Sequence, residues 1–273
     1  MKQKTHIYLL LVLILALFTS NGNSQSWGEF KDDIIYSWDT SINFGKAILQ
    51  PDQSDLRALA VSSFFVVASS ALDRTGRDFS QNNHNAFLDS FFKVDHYYGD
   101  RKIMMFGPVA LYAAGFLSGY RDLKDTGLQT LQAVLYTGLI TSAMKDAIGR
   151  SRPYRNKGPY DFEPFAIREE NRSFWSGHSS VTFAASTVLA NRIDNVYWKI
   201  FWYGASTCVA GARMYHDKHW LSDVVAGALV GYAVGSFVSH QGEKRYKDNN
   251  EIRESAGLTR DGFYINFYIP LNK

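Results

Sequence analysis

The stretch KDAIGRSRP, Lys145 to Pro153, closes an apolar run with two cations seven residues apart and a proline. On a helix Lys145 and Arg152 fall two turns apart on one face, and Pro153 stops the helix because its ring disfavours helical backbone at the residue before it. Alone, such a pair reads as a solvated basic edge. Two later fragments change that reading. In FWSGH, Phe174 to His178, Ser176 is placed to cap a helix that begins at Gly177. In RMYHDKHWLSD, Arg213 to Asp223, His219 stands one helical turn before Asp223. Each fragment is ordinary by itself. Together, inside apolar helical sequence where unpaired charge is costly to bury, they point to one anion site.

Working outward from these fragments, apolar segments recur at 56–72, 103–120, 126–148, 177–192, 196–213 and 219–240. Their lengths and their lack of strand-like alternation predict an all-α fold, a six-helix bundle. Pro153 closes the third helix, Gly177 opens the fourth, and His219 and Asp223 start the sixth. The ends of three helices therefore converge on the anion. The segment 154–175 carries Arg155, Lys157, Arg168 and Arg172 and reads as a long loop, a lid or a substrate-contacting flap. Gln241 to Glu254 reads as a polar linker, and GFYINFYI, Gly262 to Ile269, as one short C-terminal strand. The expected division is a signal peptide over 1–24, an N-terminal extension over 25–52, a catalytic domain over 53–240, and a linker and tail over 241–273.

The spacing resembles that of the type 2 phosphatidic acid phosphatase and vanadium haloperoxidase superfamily, K-x6-R-P, then P-S-G-H, then S-R-x5-H-x3-D. Lys145, Arg152 and Pro153 fill the first block, Ser176, Gly177 and His178 the second, and Arg213, His219 and Asp223 the third. Trp175 stands where the family has proline, and Ala212 where it has serine. Neither departure removes a charge or a histidine. The resemblance implies that His219 is the nucleophile that becomes phosphohistidine, and that His178 protonates the leaving oxygen and then activates water.

The residue types suit that chemistry. A phosphoryl group spreads negative charge over three oxygens, and Arg152 and Arg213 offer planar, two-pronged donors to them while Lys145 adds a compact charge. Ser176 and Gly177 belong to the same phosphate-binding set, with the amides of Gly177 and His178 at a helix start as further donors. Asp223 can fix the tautomer of His219 and leave the other ring nitrogen free to attack. His216 and His219, three residues apart, lack a third and fourth metal ligand at suitable spacing, so no metal site is expected and no cofactor is needed. His216 reads as a pocket-rim residue, and His84 and His96 as solvated loop positions.

Lys2 and Lys4 precede an unbroken apolar run of twelve, Ile7 to Phe18, and then small and polar residues, which is the pattern of a cleavable secretory signal. An exported, periplasmic or cell-envelope protein is expected. Removing residues 1–24 takes two lysines from a chain of net charge +3, leaving +1, and nothing suggests nucleic acid. Residues 103–120 and 126–144 are charge-free, close to the roughly 20 residues that span a bilayer. A mean hydropathy of −0.20 favours a soluble or surface-associated bundle over an integral one. The leading function is a metal-independent phosphatase acting on lipid-linked monoesters or pyrophosphates, with Trp175, Trp220, Phe162, Phe165 and Phe174 as the aromatic surface for the lipid. The alternatives are a broad-specificity secreted acid phosphatase, a haloperoxidase holding vanadate in the same cradle, and a non-catalytic binder of phosphorylated lipid.

Overall fold

The computed structural model describes residues 24–255, with side chains for 27–248. All regular structure among them is helical: α1 Ser24–Leu49, α2 Gln53–Ser70, α3 Asp73–Asn82, α4 Ala86–Phe91, α5 Arg101–Ser118, α6 Arg121–Ile148, α7 Gly177–Ala190, α8 Val196–Tyr215 and α9 Leu221–Ser255, with 3₁₀ turns at Phe92–His96, Pro153–Arg155 and Glu169–Asn171. The six expected helices correspond to α2 and α5 to α9. Helices α1, α3 and α4 are additions, short or rich in polar residues, that apolar runs alone do not mark.

Helix α7 lies at the centre, packed against α6, α8 and, most extensively, α9. The contact with α9 brings its backbone against backbone oxygens and Cβ atoms of α7 and its cap. A Cβ on Gly227 would lie 2.6 Å from the Ser176 carbonyl oxygen, one on Gly231 2.2 Å from the Ser180 carbonyl oxygen, and one on Gly235 2.6 Å from Thr187 Cβ. Small residues at i, i+4 and i+8 thus let α9 close directly onto α7. Ala133, Ala184, Val188 and Val238 form the dry core between α6, α7 and α9.

A second apolar cluster, Met104, Val134 and Ala185, joins α5, α6 and α7, and many polar side chains are buried beside these clusters. Lys124, Gln129, Thr130, Gln132, Thr137 and Thr141 of α6 are all buried, whereas α2 buries no residue and exposes Leu56, Leu59, Phe64, Phe65 and Val67. This reverses the usual distribution in a water-soluble protein. One described helix segment, Leu221–Asp248 of α9, is long and apolar enough to cross a membrane, and α2 with α3, bent by 55°, passes the same test as a pair.

Two expectations are corrected. Residues 241–254 are not a linker, because α9 runs on to Ser255. Glu, Lys and Arg are good helix formers, no proline interrupts them, and Arg245 ties the extension down by an ion pair of 2.7 Å to Asp33 of α1. The segment 154–175 is not a free lid, although its Glu169 and Arg172 do line the cavity described below. It is strapped to residues 149–152 by backbone hydrogen bonds from Ser151 to Asp161, Arg152 to Glu170 and Glu163 to Gly149, and Arg155, Lys157 and Arg172 are all ion-paired. The signal segment and the strand at 262–269 lie outside the described residues.

Candidate active site

A cavity of about 620 Å³ opens where the helix ends meet. Lys145 enters from the last turn of α6, Arg152 from the segment after it, Gly177 and His178 from the first turn of α7, Arg213 from the last turn of α8, and His219 from the turn before α9. Six of the eight residues named from the sequence line this space. The other two, Ser176 and Asp223, stand behind it. Ser176 is fully buried and caps α7, its hydroxyl accepting from the Ser179 amide at 3.4 Å, while its own amide donates to the Asp223 carbonyl at 2.9 Å.

Local sequence explains the convergence. Gly149 ends α6 at φ +63°, and a Cβ there would meet the Glu163 carbonyl oxygen at 1.7 Å, so both the backbone angle and the space demand glycine. The turn before His219 is pinned by α3: Arg77 grips the Asp217 carboxylate with two bonds of 2.7 Å. Gly99 gives room on the opposite wall, since a Cβ there would lie 3.1 Å from His178 Cδ2.

Behind His219 every charge is compensated. Its Nδ1 faces Asp223 Oδ2 at 3.6 Å, too long for a hydrogen bond, so the carboxylate acts on the ring through space in this state. Asp223 itself is saturated: it accepts from Arg150 Nη1 and Ser173 Oγ at 2.5 Å each, and from the Trp220 amide at 2.9 Å. Arg150 also donates to Asp73 at 2.6 Å, to Ser222 Oγ at 2.8 Å and to the Pro159 carbonyl at 2.8 Å. This buried network was not anticipated. Arg150 sits in the spacer of KDAIGRSRP, and its one sequence signal is that it is a second arginine two residues before Arg152.

On the cavity side the reverse holds. The Nε of Arg152 and the Nε of Arg213 are buried with no hydrogen-bond partner among the described residues. Arg152 Nη2 pairs with Glu169, which is largely exposed at the rim, and Arg213 Nη1 donates to Asp95 Oδ2 at 2.7 Å. Lys145 Nζ donates to the carbonyls of Arg172, at 2.6 Å, and Ser173, at 3.2 Å. Burial, and then the charge of Arg152, push its ammonium down to about 7. Lys145 is therefore a titrating group rather than a fixed cation. Burial and the neighbouring cations also depress the histidines. His219 is held well below the usual imidazole value by burial and then by Lys145, Arg152 and Arg213, and His178 falls to about 3 through burial and then Arg213. Both rings are neutral at neutral pH.

The aromatic residues expected to face substrate lie elsewhere. Trp175 turns its indole N–H to Thr141 Oγ1 at 2.8 Å, Trp220 is buried with its N–H on the Ser151 carbonyl at 2.9 Å, and Phe165 is exposed to solvent. The apolar wall of the cavity is instead Met104 and Met105 of α5, Val134, Leu135 and Leu139 of α6, and Val181 of α7.

Residues 126–247, which contain every one of the motif positions, match the model of the PAP2 superfamily. They form a PAP2 superfamily domain. Among curated proteins, a lipid A 1-phosphatase of Rhizobium johnstonii is 30% identical over 152 residues, 49% of this chain and 59% of that protein. Lipid phosphate phosphatase 1 of Arabidopsis thaliana is 32% identical over 148 residues, 44% of this chain and 45% of that protein. The chain thus spans about half to three fifths of these relatives' own lengths. A solved transmembrane PAP2-type phosphatidylglycerolphosphate phosphatase from Bacillus subtilis superposes with a TM-score of 0.53 at 22% identity, over 68% of this chain and 96% of that one, a likeness of fold.

Proposed function

We propose that the protein is a phosphatase that removes phosphate from a lipid-linked monoester or pyrophosphate. The observation that carries the reading is the convergence of three cations, Lys145, Arg152 and Arg213, and two imidazoles, His178 and His219, on one cavity. An anion with three acceptor oxygens is the partner that cations gathered in this way fit.

In the proposed reaction His219 attacks phosphorus with the ring nitrogen opposite Nδ1, the lipid oxygen leaves with a proton from His178, and phosphohistidine forms. His178, now neutral, takes a proton from water, whose oxygen attacks phosphorus and releases inorganic phosphate from His219. His178 needs a proton for the first step, and its low proton affinity reflects burial first and then the surrounding cations. A bound phosphate brings negative charge to the same place and raises the proton affinity of His178 and of Lys145. The neutral state of His219 is the one a nucleophile requires.

The lipid part of the reading rests on the methionine and leucine wall facing the cradle, on the exposed apolar face of α2, and on the names of the relatives, which are lipid phosphatases. The same features support association with a membrane. Export, expected from residues 1–24, belongs to this reading as well. The test is phosphate release by the purified chain from phosphatidate, a polyprenyl pyrophosphate and lipid A in mixed micelles, against soluble sugar phosphates and nucleotides. Turnover should be greater for a lipid, persist in a chelator, and be inhibited by orthovanadate, which resembles the transition state. Better turnover of the soluble esters would leave the broad-specificity acid phosphatase in its place.

A further inference from the structure

The three residues Asp95, His96 and His216 come together just outside the phosphate cavity, from the 3₁₀ turn Phe92–His96 and the residue that caps α8. The Asp95 side chain is wholly buried. Its Oδ2 accepts from Arg213, but its Oδ1 has no hydrogen-bond partner among the described residues. A buried carboxylate oxygen without a donor is costly, and a cation would remove that cost. Two imidazole nitrogens approach this same oxygen, His96 Nε2 at 3.6 Å and His216 Nε2 at 3.7 Å. The two rings lie nearly parallel, 17° apart, with centroids separated by 6.1 Å.

We infer that this cluster is a binding site for a divalent transition cation of the zinc class. Tetrahedral zinc with bonds of about 2.1 Å places its ligands roughly 3.4 Å apart, within a few tenths of an ångström of the two distances observed. Two nitrogens and one carboxylate oxygen make a donor set suited to zinc, and they leave a fourth position. His96 is mostly exposed, so that position opens to water. Among the described residues the one competing contact is long: His216 Nε2 lies 3.4 Å from the Phe92 carbonyl oxygen. A metal would clamp the turn at 92–96 to the end of α8, and it would fix from behind the carboxylate that holds Arg213. It is one residue removed from the phosphate and takes no part in the proposed reaction.

The site can be tested without turnover, so its failure and that of the phosphatase reading are separate. The full chain, purified without a polyhistidine tag, is stripped with a chelator, desalted and titrated calorimetrically with Zn²⁺, and in parallel with Co²⁺ while the visible spectrum is followed. One equivalent should bind, with the visible bands of tetrahedral cobalt. His96→Ala removes an exposed ligand whose loss leaves the core intact, and it should weaken binding by at least about tenfold. His216→Ala should do the same, with circular dichroism confirming that both variants keep their helices. No saturable binding at one equivalent, or wild-type affinity in both variants, overturns the site.

Discussion

The two sides of His219 obey opposite rules. Behind it, Asp223, Arg150, Asp73, Ser173 and Ser222 pair so completely that both oxygens of Asp223 have donors. In front of it, Arg152 and Arg213 line the cavity, and the Nε–H of each has no acceptor among the described residues. KDAIGRSRP supplies both sides, with Arg150 for the closed network and Arg152 for the open cradle. Two arginines separated by one serine therefore have different work: one holds the scaffold together, and the other waits for a ligand.

The contrast can be broken most sharply at the residue between the two sides. His219→Ala should lower turnover by at least about 10⁴-fold and abolish any acid-labile phosphoenzyme in rapid-quench labelling, as removal of a catalytic nucleophile does elsewhere. Trapped phosphate on His178 in the wild type would reverse the assigned roles. Behind the site, Arg150→Ala should strand Asp73 and Asp223 and cost about 3–5 kcal/mol of stability, read from thermal or denaturant unfolding. In front of it, Arg152→Ala should leave the melting temperature nearly unchanged and weaken vanadate binding by about 10–100-fold, the value of a charge-assisted hydrogen bond. If these two variants behave alike, the contrast is wrong.

Two smaller effects sharpen it. Glu169 occupies Arg152 from the exposed rim, so Glu169→Gln should free the guanidinium and tighten vanadate binding by up to about fivefold, the worth of a partly exposed ion pair. The other concerns protons. Lys145 has its affinity lowered to about 7, so at pH 8 most molecules of the empty protein carry it neutral, and a bound anion should restore its charge. Vanadate or phosphate binding at pH 8 should then take up a fraction of a proton approaching one, seen as a dependence of the calorimetric enthalpy on the ionisation heat of the buffer, and less at pH 6. Lys145→Met should reduce the uptake to the share that His178 contributes.

What was legible in the sequence follows a physical division. Helices α6 and α7 were read to within a few residues at their site ends: Gly177 opens α7 as expected, but Gly149 and not Pro153 stops α6, which leaves Arg152 beyond the helix. The cradle residues were legible because phosphate chemistry restricts residue type and spacing together. Asp95, Asp73 and Arg150 were not, since each acts through a partner far along the chain, 118 residues for Asp95 with Arg213 and 77 for Asp73 with Arg150. Helix α3, with the sequence DRTGRDFSQN, has no apolar run to announce it and is recognisable through what Arg77 grips. The aromatic wall failed for a related reason: an indole N–H in a buried loop seeks a fixed acceptor, and Trp175 and Trp220 both found one away from the cavity.

The glycine stripe of α9 has a consequence for how such a protein can change. Where Gly227, Gly231 and Gly235 touch α7, the nearest atoms are backbone oxygens and the Cβ of Thr187, which no rotamer change moves, so the spacing of the elements that bear His178 and Asp223 is set by atomic radii. The wall of Met104, Met105, Leu135 and Leu139 is set by flexible side chains instead. Substitutions there can reshape the pocket for a different tail while the reacting centre keeps its dimensions. Inheritance can thus vary what the molecule accepts without retuning what it does to it.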